Sequence, residues 1–308
     1  MSYRIDPRLP LTSEVQRIAT EEIDSALGHL AAVRDNPDKA MHECRKRLKS
    51  VRALLRLVRS GDEAFARAEN ARYREISARL AGAREAAALI ETLDRLEEAF
   101  PGETADGALG PVRDRLIARR VAVVNDDLAK AIAPAVTACK GGLRKIGKLA
   151  LPDQPERAAD VLADGAGKTI RRARKALRKA KDRGEPEHFH DLRKAVKAHA
   201  MHLSLLKKFW PSPVKARRKA IDALGGKLGE LHDIFVLRAL LLDEAQPLGS
   251  RAETRLTDRL AKRMGRKLSK TCLTEASKLF NDDSRRSAKK LIREIEQDQV
   301  EKQPAAGL

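Results

Sequence analysis

Met41-His42-Glu43-Cys44-Arg45-Lys46-Arg47-Leu48-Lys49 reads as a turn-by-turn amphipathic helix. It recurs without a gap 148 positions later as Phe189-His190-Asp191-Leu192-Arg193-Lys194-Ala195-Val196-Lys197. The same offset of 148 lays Leu80-Ala81-Gly82-Ala83-Arg84-Glu85 on Leu228-Gly229-Glu230-Leu231-His232-Asp233. Two stretches on different helices that agree on one offset point to an internal duplication. Working outward, Pro, Gly, Asn and Asp cluster at 35–37, 60–62, 101–102, 152–155, 184–186, 211–213, 246–249 and 281–283, and such clusters interrupt helices. The intervals predict helices over 12–34, 38–60, 62–99, 104–149, 156–183, 186–209, 213–245 and 249–296. Ser13 with Gln16 offers a capping box for the first. Four helices, a Pro-rich link and four more predict an all-α chain of two antiparallel four-helix bundles. Repeat 1 would span about 10–150, repeat 2 about 156–296, and 297–308 would be a disordered tail.

Composition agrees. Aromatics are only 3% of the 308 residues, while Ala, Leu, Arg, Lys and Glu dominate, which favours helix over strand. No run alternates β-branched and polar residues between turns, so no sheet is expected. Cys44, Cys139 and Cys272 are far apart, odd in number and without a CxxC, which suggests neither a disulfide framework nor a zinc site. No apolar run suits a signal peptide or a membrane span, so the expected location is the cytoplasm. The formal net charge is +19. It is uneven: residues 1–150 hold 27 basic and 22 acidic side chains, residues 151–308 hold 36 and 22. Such a field gathers anions without naming one.

The placement of the charge says more. Cys44, Leu48, Val51, Leu55 and Val58 repeat at alternating spacings of 4 and 3 and form the buried stripe. His42, Arg45, Lys49, Arg52 and Arg56 repeat at 3 and 4 beside it, and between 41 and 60 the only acid is Glu43. At about 100° per residue, the centres of the two stripes lie about 120° apart, so the cations flank the core, where a neighbouring helix can wall them in. Like charges at this spacing cost ~0.2–0.5 kcal/mol per pair, and a solvated face mixes signs instead. The second copy repeats His190, Arg193, Lys194 and Lys197, then weakens, since Ala200 and Ser204 stand where Arg52 and Arg56 would. Arg172, Lys175 and Lys179, on one face with Lys168, are placed to compensate.

His-x-x-Arg-Lys-x-x-Lys on a helix, present twice, with a Leu-Gly-x-x-(Arg)-Asp-like motif one helix later, resembles the CHAD family (conserved histidine α-helical domain). The resemblance covers about residues 10–296. It implies two four-helix bundles related by pseudo-twofold symmetry around a basic central channel that binds inorganic polyphosphate without catalysis or a cofactor. By motif position it carries binding onto His42, Arg45, Lys49, Arg52, Arg56, His190, Arg193, Lys194 and Lys197; Lys46, Arg84, Arg172, Lys175 and Lys179 complete the expected lining. It also suggests a role at polyphosphate granules or in phosphate metabolism. Glu85 and His232 depart from the family pattern, as does Ala200.

Three rival chemistries fit less well. Asp164-Gly165-Ala166-Gly167-Lys168-Thr169 lacks the first Gly of a phosphate loop, because 162 is Leu. His188 and His190, or His190-Asp191 and His232-Asp233, could suggest a metal-dependent phosphohydrolase, but Arg193, Lys194 and Lys197 crowd that region with positive charge. No metal site is therefore expected. Nonspecific nucleic-acid binding is the stronger rival, set against few aromatics for base stacking. Cys44 and His199 sit on apolar stripes and read as core residues, His199 with its ring hydrogen-bonded.

Overall fold

The computed structural model describes residues 3–280 apart from 81, 210, 244 and 246, and within them every side chain except those of 38, 82–86, 120–130 and 211–216. The described chain is helical, with no strand: α1 (Leu11–Ala31), α2 (Pro37–Leu57), α3 (Glu63–Arg79), α4 (Gly82–Ala99), α5 (Gly110–Ile146), α6 (Pro155–Arg183), α7 (Pro186–Leu205), α8 (Pro211–Leu241) and α9 (Arg251–Leu279). None of these helices is long and apolar enough to cross a membrane.

Local chemistry sets the ends. Asn36 and Asp62 accept hydrogen bonds from the Lys39 and Phe65 amides at 3.1 and 3.0 Å, opening α2 and α3. Ser250 and Glu253 form a reciprocal capping box on α9. Gly184, at φ 69°, closes α6 in the left-handed region, and α7 follows at once with Pro186 in its first turn. The capping box expected at Ser13 is not formed. The first helix starts at Leu11, so Ser13 lies inside it and its hydroxyl donates to the Pro10 carbonyl at 2.8 Å. Gln16 reaches the Leu149 carbonyl instead.

The interval 62–99 is two helices. Arg79 ends α3 and α4 begins at Gly82, a residue that weakens helix interiors by about 1 kcal/mol. The break lets α4 leave its own half of the chain. Leu89, Leu93 and Leu96 pack with Ile234 and Leu237 of α8 and Leu260 of α9. The interval 104–149 likewise opens with a short 3₁₀ turn, where Asp106 and Gly107 have φ of 56° and 71°, before α5 starts at Gly110 with Pro111 in its first turn. Residues 281–296 of the last expected helix and the tail 297–308 lie outside the described residues. The helix order α1, α2, α3–α4, α5 is followed by α6, α7, α8, α9, and α3 and α8 start at Glu63 and Pro211, again 148 apart.

Each half has its own core. Cys44, Leu48, Val51 and Leu55 of α2 pack on α1, α3 and α5; Leu192, Val196 and Leu203 of α7 pack on α6, α8 and α9. A third cluster joins the halves through Leu54 and Leu57 of α2, Val58 just after it, Leu162 of α6, and Leu205 and Leu206. Two features lock this junction. A Cβ on Gly165 of α6 would stand 1.8 Å from the Leu57 carbonyl oxygen, so the backbones of α6 and α2 touch there. His202 of α7 is buried with its Nε2 3.0 Å from the Ala53 carbonyl of α2. His199 is buried too, against Phe280, with its rings 5.9 Å apart. It is a core residue as expected, but neither ring nitrogen has a hydrogen-bond partner among the described residues.

Two outcomes follow for stability. Gly165→Ala should destabilise by about 2 kcal/mol or more in denaturant unfolding, because an overpacked backbone contact cannot yield. Gly226→Ala, an α8 glycine with open space around it, should be neutral or stabilising by up to about 1 kcal/mol. The second concerns acid. Burial pushes His199 and His202 down to about 3, with Arg217 and Arg56 respectively as the next causes. The unfolded chain, titrating near 6.5, then binds more protons than the folded one from about pH 6.5 downward. Stability should fall as pH drops from 7 to 5, with a slope approaching about 1.4 kcal/mol per pH unit per histidine. His199→Leu should flatten that slope in denaturation series at several pH values.

Candidate functional site

The helix faces follow from the cores. Burying Cys44, Leu48, Val51 and Leu55 turns Arg45, Lys49, Arg52 and Arg56 to the side of α2 that meets α7. Burying Leu192 and Val196 turns Arg193 and Lys197 toward α2. With the helices pinned at Ala53–His202, the two basic stripes face one another.

Lys49 records the meeting. Its ammonium is lowered from the usual lysine value to about 8, first by lost hydration and then by Arg45, Lys197, Arg193 and Arg52, in that order. Two of those cations belong to α2 and two to α7. The side chain is nevertheless open to solvent. Protein walls on either side lower the hydration of an ammonium that solvent still reaches, and so disfavour its charged form.

The arginines around it are half-buried. Arg45 donates through Nη1 to the Leu80 carbonyl at 3.4 Å, and Arg52 through Nε to Asn70 Oδ1 at 3.3 Å. Arg52 is lowered by burial and then Arg74. Arg56 is pulled down to about 10 by burial, then Arg52, with Arg172 adding to it and Tyr3 opposing. Arg193 is lowered by burial against the opposing charge of Asp233. The Nε groups of Arg56 and Arg193 are buried without a hydrogen-bond partner among the described residues. Unpaired buried donors of this kind carry a standing cost of about 1–3 kcal/mol, more for charged groups.

The groove continues into a cleft of about 420 Å³ between α6 and α7, lined by Arg56, Arg172, Lys175, Lys179 and Lys194. Asp191 is the one acid among its described lining residues, with its carboxylate 3.5 Å from the Lys194 ammonium. Thus α6 supplies the cations that α7 lacks. Ala200, at the place equivalent to Arg52, is buried, and Ser204 donates back to the Ala200 carbonyl.

Of the remaining expected residues, His190 stands on α7 with its ring 4.7 Å from that of His232. His42 is exposed on α2 beside Glu43. Lys46 is exposed and ion-paired with Glu43 at 3.1 Å; it is not gathered with the groove cations. The side chain of Arg84 lies outside the described ones. Sequence reasoning passed over His232 as a lining residue, although the offset of 148 pairs it with Arg84. Asn70, which positions Arg52, left no signal of its own.

The rival motifs have structural explanations. Asp164–Thr169 lies inside α6, with Asp164 held by Lys168 at 2.6 Å and Gly165 at the contact with Leu57. Cys44 is fully buried and burial pushes its thiol up to about 12, so it packs and does not attack. His188 is buried beside Glu185 at 3.4 Å, whereas His190 faces His232.

The CHAD domain family profile matches residues 17–242. No curated protein matches the chain. Among solved structures, PptA from Streptomyces chartreusis superposes with a TM-score of 0.65 at 18% identity, covering 88% of this chain and 100% of that one. The CHAD domain from the plant Ricinus communis superposes with a TM-score of 0.63 at 18% identity, covering 90% and 93%. At such identities the likeness is one of fold. With the family profile spanning most of the chain and the duplicated His-x-x-Arg motif at its centre, this protein belongs to the CHAD domain family.

Proposed function

We propose that the protein binds inorganic polyphosphate, without turning it over, in the groove between α2 and α7 and the adjoining α6–α7 cleft. The observation that carries this reading is the convergence of Arg45, Lys49, Arg52, Arg193 and Lys197 from two helices on one place. A free protein holds those charges together at a cost. A string of phosphates would neutralise them and give the buried guanidinium donors acceptors of matching geometry. Polyphosphate has closely spaced charge and no bases, so a site that reads charge alone suffices. Family membership supports the same ligand, and a cytoplasmic role at polyphosphate granules or in phosphate metabolism would suit it. The reading is of a binding protein and not of an enzyme. Membranes have no part in it, and nucleic acid is the competing partner.

Purified protein should bind long-chain polyphosphate at submicromolar affinity and leave its length unchanged with Mg²⁺, Mn²⁺ or Zn²⁺ present; phosphate release that tracks the protein through purification would contradict this. Polyphosphate should displace bound duplex DNA at physiological salt far more readily than the reverse. Equal competition per phosphate would favour a general polyanion binder.

Arg45→Ala with Arg193→Ala should weaken binding about a hundredfold or more, at roughly 1.5–3 kcal/mol for each charge-assisted contact. Arg255→Ala with Arg266→Ala, on the exposed face of α9, should cost little, because an open charge is screened within about 8–10 Å. The groove pair should leave the melting temperature unchanged or raised, since it relieves repulsion. Titration at fixed salt beside a thermal melt checks both.

A further inference from the structure

His232 occupies the place that Arg84 holds 148 residues earlier. Where the first motif has a permanent cation, the second has a group that titrates near neutrality. Its ring lies 4.7 Å from that of His190, with an angle of 31° between the planes, and His190 Nδ1 is buried without a hydrogen-bond partner among the described residues. Two imidazoliums stacked so closely would repel, so the pair accommodates about one proton at most.

Resting on the polyphosphate reading, we propose that His190 and His232 form a proton-coupled contact for the ligand: the pair is neutral in the free groove and takes one proton from solvent as phosphate binds, so affinity rises as pH falls.

The surroundings set this sign. On α7 the pair faces Arg193, Lys194, Lys197 and Asp191; on α8 it adjoins Asp233, which Arg95 of α4 approaches at 3.8 Å. The α6 side contributes Lys175 and Lys179, which share a cleft with Lys194 and Asp191. Across the groove, Lys49 of α2 stands against Arg193 and Lys197. On α9, Glu275 is already bound by Lys227 of α8. Cations thus outweigh acids around the rings. Consistent with that, His232 is lowered to about 4 by burial, then Arg193, His190, Lys197 and Lys194. His190 is lowered by burial, then Lys194 and Arg193, against Asp191. A phosphate chain reverses the local sign: it screens the cations and offers oxygens to a protonated ring. Its internal phosphates stay ionised throughout this range, so a change in proton content reports on the protein.

The test is calorimetric titration of the full chain with long-chain polyphosphate at pH 6.0 in two buffers of different ionisation enthalpy, with affinity followed from pH 7.5 to 5.5. The expected result is net uptake approaching one proton per site and affinity rising toward roughly tenfold per pH unit. His232→Asn, which puts a neutral polar group in place of the ring, should lose the uptake and the gain in acid. His232→Arg should bind more tightly at pH 7.5 with a pH profile that is flat below pH 7, where Lys49 is already protonated. Circular dichroism and melting confirm that each variant is folded. Binding without proton uptake, or uptake that survives in both variants, overturns the proposal while leaving polyphosphate binding intact. No binding at any pH overturns the polyphosphate reading, and this inference with it.

Discussion

Repulsion between like charges, held in place by an apolar junction, is the constraint around which the molecule is arranged. Left to themselves, the stripes on α2 and α7 would separate. They are kept face to face by Leu54, Leu57 and Val58 packing on Leu205 and Leu206, by the Gly165–Leu57 backbone contact, and by His202 against Ala53. Each buried leucine-sized side chain contributes about 1.5–3 kcal/mol, against about 1–3 kcal/mol or more for each buried guanidinium donor left unpaired and a few tenths for each like-charge pair along one helix. Several apolar side chains at the junction offset these costs. The molecule can thereby keep a concentrated positive groove together.

The two halves are alike in plan and unlike in detail, and the differences bear on the site. In the first half α2 carries cations down its length to Arg56, whereas in the second Ala200 is buried and the charge passes to Arg172, Lys175 and Lys179 on α6. The break between α3 and α4 frees α4 to bury Leu89, Leu93 and Leu96 against α8 and α9, and brings Arg95 near Asp233 beside the second histidine motif. The unbroken α8 has no such freedom. The groove carries arginines and Lys49 on its α2 side, and a mixture of arginine, lysine and the His190–His232 pair on its α6, α7 and α8 side.

Much of this was legible in the sequence for a physical reason. A long helix with a 3–4 apolar stripe has one way to bury itself, so the order of helices and the sideways aim of Arg45, Lys49, Arg193 and Lys197 follow from local periodicity. What periodicity cannot give is which helices touch. The close pass of α6 over Leu57 shows in the sequence only as Gly165, which read as part of a defective phosphate loop. The split at 80–82 was hidden because Ala81 and Gly82 sit inside an otherwise good helical pattern. Lys46 shares the motif with Arg45 but turns about 100° away and meets Glu43, a distinction that motif matching does not make.

The central claim is that cations from α2 and α7 share one groove, and the ionisation of the Lys49 ammonium measures it most directly. NMR titration of labelled lysine, assigned by Lys49→Arg, should find this amine near 8 in the free protein, well under the usual value of 10.5. Arg193→Ala with Lys197→Ala, changes on the opposite helix, should move it back up, and bound polyphosphate should raise it further. A Lys49 that titrates in the ordinary lysine range, indifferent to substitutions on α7 and to the ligand, would contradict the account.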